Sequence, residues 1–151
     1  GTKYSDSLNA KIKSSEGNDI PMTMGCYGIG ITRIIAAAIE QNHDERGIIW
    51  PEPLAQFDVI IIAINIDKSE KVKKTADALY QELREIGIDA IYDDRLTRPG
   101  IKFAEAELIG IPHRIVVSEK VLSTGKLEYQ SRKDTKAVNL RKDEIIKLLR
   151  K

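Results

Sequence analysis

One stretch near the middle of the chain, residues 88–119, constrains the fold more than any other. Two β-rich runs, 88–92 and 113–118, flank a segment in which apolar residues recur at helical spacing. The recurring residues are Ile101, Ala104 and Leu108. The stretch is therefore predicted to form a strand, a loop, a helix and a second strand, which is a βαβ unit.

The loop of this unit, residues 93–102, is dense in charge and contains Pro99-Gly100. It follows the carboxyl end of a strand, and ligands of open α/β sheets bind at that edge. The alternative, solvated turn charges, also fits the spacing. Asp93 and Asp94 resemble an acid/base or metal pair, but adjacent strand residues point to opposite sides, and the neighbouring Arg95 favours a salt-bridged loop.

The composition places the chain in the soluble globular class. Its 151 residues suffice for one well-buried core, and 42% are hydrophobic and 31% charged. The longest apolar run, 59–64, is too short to cross a bilayer, and the N-terminus does not resemble a signal peptide. The single Cys26 excludes an internal disulfide and a cysteine-based zinc cluster. We therefore expect a cytoplasmic protein without membrane contact.

The net charge of +1 is too small to indicate nucleic-acid binding by itself. A nucleic-acid contact therefore requires a local patch, and the tail over residues 132–151 is rich in lysine and arginine. This tail is a candidate surface for phosphate contacts.

The first fifty residues are predicted to form two antiparallel strands, within 8–13 and 20–27, followed by an amphipathic helix. The helix places Ile31, Ile34 and Ile35 on one face, but no sheet is predicted to cover them. A lone hairpin is marginal in water, so this region is expected to be the end of a larger domain.

Residues 43–53 contain Gly47, Trp50 and two prolines, a composition that interrupts helices and strands. We place a domain boundary there. The apolar run from residue 57 predicts a strand buried on both faces. A helix follows, with Asp67 as its predicted N-cap, Glu70 in the capping-box position and Gly87 at its end.

After the βαβ unit the pattern predicts a short helix near residue 120, strands at 126–130 and 137–140, and a terminal amphipathic helix. Together these elements predict an α/β domain whose mixed sheet carries helices on both faces.

Gly28-Ile29-Gly30 is not a dinucleotide fingerprint, because Arg33 stands where the third glycine would be. Two glycines allow close approach of a flat ligand, and an arginine in the first helical turn can bind phosphate. A tight turn with a surface arginine is the alternative. From the residues alone, Cys26 is expected to be a small buried hydrophobe, His43 a solvated loop residue and His113 a strand residue without metal.

The motifs DDR, RPGIKF and AEAELIGIPHRIVV resemble the anticodon-binding domain shared by the prolyl, threonyl, histidyl and glycyl class II aminoacyl-tRNA synthetases. The segment ELIGIPHRIV is similar to the bacterial-type prolyl-tRNA synthetases, and GTKYS and MGCYGIGITR resemble the end of their catalytic domain, including motif 3. The resemblance implies a three-layer, mixed-sheet anticodon-binding domain at 57–151, a linker at 51–56, and a remnant of the antiparallel catalytic domain at 1–50.

The resemblance also implies roles for individual residues. In motif 3, Gly28 and Gly30 would line the adenine site, Arg33 would contact the ATP phosphates, and Cys26 would border the proline pocket. Thr32 stands where serine is more usual, and Gln56 where proline is common. The side chains expected to approach the anticodon bases are those of Arg95, Lys102, Glu107 and Arg114.

The resemblance further implies that the complete enzyme is a homodimer that activates proline with ATP and Mg²⁺ and charges tRNA(Pro). Motifs 1 and 2 are absent here, so this chain alone is expected to be inactive and to hold no cofactor or metal. One rival hypothesis is a stand-alone binding or regulatory protein that acts through protein contacts. Another is a flavodoxin-like nucleotide-binding enzyme, which residues 65–68 disfavour because they lack a glycine for a phosphate loop.

Overall fold

The computed structural model describes residues 1–150, which divide into two compact units, Gly1–Ile34 and a larger unit from Ile35 onward. The first unit contains a short helix and an antiparallel hairpin: α1 (Lys3–Ser7), β1 (Lys11–Lys13) and β2 (Asp19–Pro21). The two predicted strands are confirmed but are shorter than predicted, and α1 was not predicted. The hairpin turns through Gly17, whose positive φ of 82° suits glycine.

Helix α2 (Ile31–Gln41) begins in the first unit and continues into the second. Its apolar stripe is present as predicted, but Ile31, Ile34 and Ile35 remain 78%, 41% and 49% exposed. Only Ala38 of this helix is buried. Within residues 1–150 these apolar side chains of α2 are therefore largely uncovered.

The larger unit then contains the following elements in chain order: β3 (His43–Asp44), β4 (Gly47–Ile48), a 3-10 turn (Glu52–Leu54), β5 (Val59–Ala63), α3 (Glu70–Glu85), β6 (Ala90–Asp93), α4 (Pro99–Ile109), β7 (His113–Val117), α5 (Glu119–Leu122), β8 (Leu127–Ser131), β9 (Val138–Leu140) and α6 (Lys142–Leu149). The five strands from β5 onward form one sheet in the order β6-β5-β7-β8-β9. The first three are parallel, and β8 and β9 run antiparallel, so the predicted mixed sheet is confirmed.

Two apolar clusters cover the faces of this sheet. On one face, alternate residues of β5 and β7 pack with α3 and α6 through side chains that include Leu79, Leu83 and Ile145. On the other face, Ile60 and Ile62 pack against α4. Strand β5 is buried at every position because both faces are covered, which is why its sequence reads as a continuous apolar run.

Helix α4 is confirmed, but it faces the sheet with residues that its apolar spacing did not indicate. Lys102 and Ala106 are buried, with Phe103 partly buried beside them. Ile101 and Leu108 are 46% and 61% exposed. The helix is apolar around much of its circumference, so the apolar residues alone did not identify its inner face.

Two local predictions were wrong. Residues 43–53 were expected to interrupt strands and His43 to lie in a loop, but residues 43–48 form the β3–β4 hairpin, which includes His43. The Asp44 carboxylate closes the turn by accepting hydrogen bonds from the backbone N–H groups of Arg46 and Gly47. The N-cap of α3 is Ser69 rather than Asp67, and its hydroxyl accepts the N–H of Val72.

Candidate functional site

A crevice of about 250 Å³ lies at the carboxyl ends of the parallel strands, between the loops that follow β5 and β6. Ligands of open α/β sheets bind at this edge. Asn65 turns the first loop sharply, with a φ of 54° that asparagine tolerates better than most residues. The crevice is lined by Asn65, Ile66, Asp67, Lys68, Arg95, Leu96, Thr97, Arg98, Pro99 and Lys102.

Arg95 is held at the edge of this crevice by two carboxylates. Its Nε and Nη2 atoms lie 3.0 and 2.7 Å from the two oxygens of Asp93, and Nη2 also lies 2.6 Å from Glu105 Oε2. The side chain is 52% exposed. Hydrogen bonds from Arg95 keep the pKa of Asp93 below its usual value, although burial of the carboxyl acts in the opposite direction. The predicted salt-bridged loop is therefore present.

Lys102 lies beneath the crevice and is 2% exposed. Its ammonium donates to the carbonyl oxygens of Ala63 and Asp93, each at 3.0 Å, and lies 3.6 Å from the Asp93 carboxylate. The ammonium of Lys102, which was expected to approach the anticodon bases, is thus engaged by backbone carbonyls within the fold. A buried charge needs such partners, and here they tie α4 to the ends of β5 and β6.

Glu107, in the C-terminal half of α4, pairs with Arg114 of β7. The Glu107 carboxylate lies 3.5 Å from Arg114 Nη1 and 3.3 Å from Arg46 Nη1. The Arg114 guanidinium stacks over the Phe103 ring at 4.7 Å and donates to Gln130. Burial lowers the pKa of Arg114, although Glu107 opposes this effect. The structure therefore divides the four expected anticodon residues into two pairs: Arg95 and Lys102, which meet at Asp93, and Glu107 and Arg114, which contact each other.

The second pair, Glu107 and Arg114, lies beside the seat of the β3–β4 hairpin, by which we mean the surface formed by the end of α4 and Arg132 against which the hairpin packs. Arg132, with a side chain 4% exposed, donates to both carboxylate oxygens of Asp44 at 2.6 and 3.0 Å. These hydrogen bonds hold the pKa of Asp44 well below its usual range. The hairpin backbone approaches so closely that a Cβ on Gly110 would lie 2.3 Å from the Ile48 carbonyl oxygen. Trp50 adds a hydrogen bond to the carbonyl of Ile109.

The expected motif 3 residues lie on an exposed segment of the first unit. Cys26 is exposed, which corrects the expectation of a buried cysteine, because no apolar elements of this unit enclose it. Gly28, Gly30 and Arg33 are also exposed, and Arg33 forms no ion pair within residues 1–150. These residues form an open edge rather than an enclosed pocket.

Neither a metal cluster nor a membrane-spanning helix is present in the part of the chain that the structure describes. Residues 1–150 contain no group of three or more His, Cys, Asp or Glu side chains arranged to hold a metal ion. No helix in the same range is both long and apolar enough to cross a membrane.

Sequence reasoning missed several residues that the fold brings to these two places. Lys68 and Arg98 both line the crevice. The only sequence signals for them were that Lys68 follows a predicted strand and that Arg98 precedes a predicted helix. Asp44 and Arg132 are separated by 88 residues, and no local pattern relates them. The Asp44 carboxylate followed by Arg46 and Gly47 was a recognisable turn signal.

Comparison with known proteins agrees with this architecture. The family model described as "Anticodon binding domain" matches residues 58–151. Two proteins named proline–tRNA ligase, from strains of Burkholderia ambifaria, are 54% identical over 144 residues, which is 95% of this chain and 25% of theirs. A protein of the same name from Paraburkholderia xenovorans is 56% identical over 140 residues, 93% of this chain and 24% of its own.

The chain thus spans about a quarter of the length of the curated relatives that it matches. The resemblance carried by DDR, RPGIKF and AEAELIGIPHRIVV is confirmed, and the family model covers more than half of the chain. The protein belongs to the anticodon-binding domain family and is similar over nearly its whole length to part of the proline–tRNA ligases.

Proposed function

We propose that this chain is the anticodon-binding part of a proline–tRNA ligase and that its crevice receives the anticodon loop of tRNA(Pro). The observation that carries the proposal is the position of the crevice. In a domain of the anticodon-binding family, it lies at the ligand-binding edge of the sheet, and it is lined by the cations Lys68, Arg95 and Arg98.

The chemistry of these side chains suits a single-stranded RNA loop. Unstacked bases are read by hydrogen bonds to their edges, and arginine supplies several donors in a fixed plane. Arg95 and Arg98 would read base edges, while Lys68 would meet a phosphate as a point charge. Leu96, 76% exposed, offers an apolar contact for the face of a base.

Glu107 and Arg114 receive a different role in this proposal. Glu107 is engaged by both Arg46 and Arg114, so it helps to seat the hairpin rather than to read a base. Arg114 supports the same seat through Glu107 and stacks on Phe103. Both residues would therefore influence recognition only through the placement of α4.

We further propose that the complete enzyme activates proline with ATP and Mg²⁺, charges tRNA(Pro), and acts as a homodimer in the cytoplasm. Gly28, Gly30 and Arg33 would form one edge of its ATP site, and Cys26 would border its proline pocket. Because this edge is open, the chain alone is expected to support no proline-dependent ATP–pyrophosphate exchange. Measurable exchange by the purified chain would contradict this assignment.

Binding of RNA hairpins to the full chain tests the anticodon assignment. One hairpin carries the proline anticodon, and a matched hairpin differs only in the anticodon bases. Fluorescence anisotropy should give tighter binding to the first, and Arg95→Ala should reduce the difference by about 1–3 kcal/mol for each base-specific interaction that it removes. Lys74→Met, at an exposed lysine of α3 that does not line the crevice, is the control. Equal affinity of the wild-type chain for both hairpins would favour the rival hypothesis of a binding protein that acts through protein contacts.

A further inference from the structure

We infer that Lys102 is a positioning residue, which sets the Arg95 guanidinium at the crevice without touching the RNA itself. The inference rests on the proposed function, because it concerns how the same crevice discriminates between anticodons.

The Lys102 ammonium has its partners at the ends of two strands. It lies 3.0 Å from the Ala63 carbonyl oxygen, which ends β5, and 3.0 Å from the Asp93 carbonyl oxygen, which ends β6. It also lies 3.6 Å from the Asp93 carboxylate. The two carbonyl oxygens take two of the three donors of the ammonium, and the carboxylate lies near the third as an ion pair beyond hydrogen-bond distance. With 2% exposure, the ammonium has almost no surface left for a ligand.

Asp93 connects this buried cation to Arg95. Its side chain is 6% exposed, and it accepts two hydrogen bonds from the Arg95 guanidinium, at 3.0 and 2.7 Å. A bidentate pair fixes the plane of the guanidinium as well as its position. Lys102 donates to the Asp93 backbone carbonyl and lies near Oδ1, the same carboxylate oxygen that accepts from Arg95 Nε. Lys102 thereby restrains the residue that holds the Arg95 guanidinium.

Glu105 completes the arrangement from α4, at 2.6 Å from Arg95 Nη2. Within residues 1–150 no hydrogen bond is made by the remaining nitrogen, Nη1. The guanidinium is thus fixed through two of its nitrogens and retains the donors of the third. A recognition group that is fixed before binding costs less conformational entropy to engage, so its orientation affects discrimination.

Removing the Lys102 ammonium should therefore impair RNA recognition by Arg95, a residue that Lys102 does not contact. In Lys102→Met, two strand-end carbonyls lose a donor and the Asp93 carboxylate loses a neighbouring cation. The full chain would be titrated with the two RNA hairpins described above. We expect Lys102→Met to reduce discrimination by about 5- to 150-fold, which corresponds to one base-specific interaction. Lys74→Met, which replaces an exposed lysine, should leave discrimination unchanged.

A double-mutant comparison separates positioning from general loosening of the fold. If Lys102 acts through Arg95, Lys102→Met combined with Arg95→Ala should discriminate no worse than Arg95→Ala alone, within about twofold. A loss of discrimination in the double variant equal to the product of the losses in the two single variants would overturn the inference. So would a folded Lys102→Met chain with unchanged discrimination.

Asp93→Asn provides a second route if Lys102→Met fails to fold. It weakens the connection to Arg95 but keeps the backbone carbonyl that Lys102 binds, and it should also reduce discrimination. Unchanged discrimination by a folded Asp93→Asn chain overturns the inference. A wild-type chain that does not distinguish the hairpins refutes the proposed function itself, whereas a discriminating wild type with an unaffected variant refutes only the positioning role.

Discussion

Substitution of Gly110 by alanine tests the seat of the β3–β4 hairpin, and Gly87 provides a matched control. Both glycines end a helix in the left-handed region, with φ of 80° and 79°. A Cβ on Gly87 would have no heavy atom within 4 Å, whereas one on Gly110 would lie 2.3 Å from the Ile48 carbonyl oxygen. The two positions therefore share the backbone strain and differ in the steric clash.

The strain of a left-handed alanine costs roughly 1–2 kcal/mol, which is the whole effect expected for Gly87→Ala. Gly110→Ala adds displacement of backbone, and overpacking of this kind costs about 1–3 kcal/mol more. We therefore expect about 2–5 kcal/mol of destabilisation at Gly110.

Urea unfolding followed by circular dichroism measures both free energies of unfolding. Losses that agree within about 0.5 kcal/mol would show that the hairpin does not press against Gly110 in solution, and the docking geometry would then be wrong.

Further predictions concern the core, the crevice and the ends of the chain. Leu83→Ala, at a site 0% exposed, should cost about 2–5 kcal/mol in the same assay, whereas Leu108→Ala, at a site 61% exposed, should stay within about 0.5 kcal/mol. Because Arg95 holds the pKa of Asp93 below 3.8, the ionised carboxylate favours the folded state above that pH, and this contribution is lost as the pH falls further. Acid titration of the free energy of unfolding should therefore be steeper for the wild type than for Asp93→Asn. Lys142→Ala should weaken both RNA hairpins alike and reduce the salt dependence by about one unit of slope, and selective loss for one hairpin would contradict a phosphate contact. Deleting residues 1–34 should leave cooperative unfolding, whereas deleting residues 1–52 also removes Asp44 and should lower the midpoint. Equal midpoints for the two deletions would show that the hairpin adds no stability.

The sequence predicted the sheet and its covering helices because burial imposes a period on each element. The continuous apolar run at β5 and the inner stripe of α3 both follow directly from the faces that they bury. Helix α4 shows where this reasoning stops. Its inner face includes a lysine whose burial depends on two carbonyl oxygens and a carboxylate brought by other elements, and sequence spacing does not reveal such partners.

The loop after β6 was identified from its charge density and position, whereas the role of Arg95 came from the family resemblance and stays a prediction. Glu107 and Arg114 were grouped with Arg95 and Lys102 because the family resemblance implied that all four approach the anticodon. The structure separates them by their partners: Arg95 and Lys102 meet at Asp93, whereas Glu107 pairs with Arg114 and Arg46. The domain boundary at 51–56 stays a prediction, and the compact units part earlier, after Ile34.

The pairing of Asp44 with Arg132 has a consequence for how the chain folds during synthesis. The two residues are 88 positions apart, so the carboxylate leaves the ribosome long before its guanidinium partner is made. At about 5–20 residues per second, this interval lasts about 4–18 s. Strands β5, β6 and β7 and helix α4 are all synthesised within it. The hairpin is therefore expected to dock only after the parallel part of the sheet and helix α4 have formed.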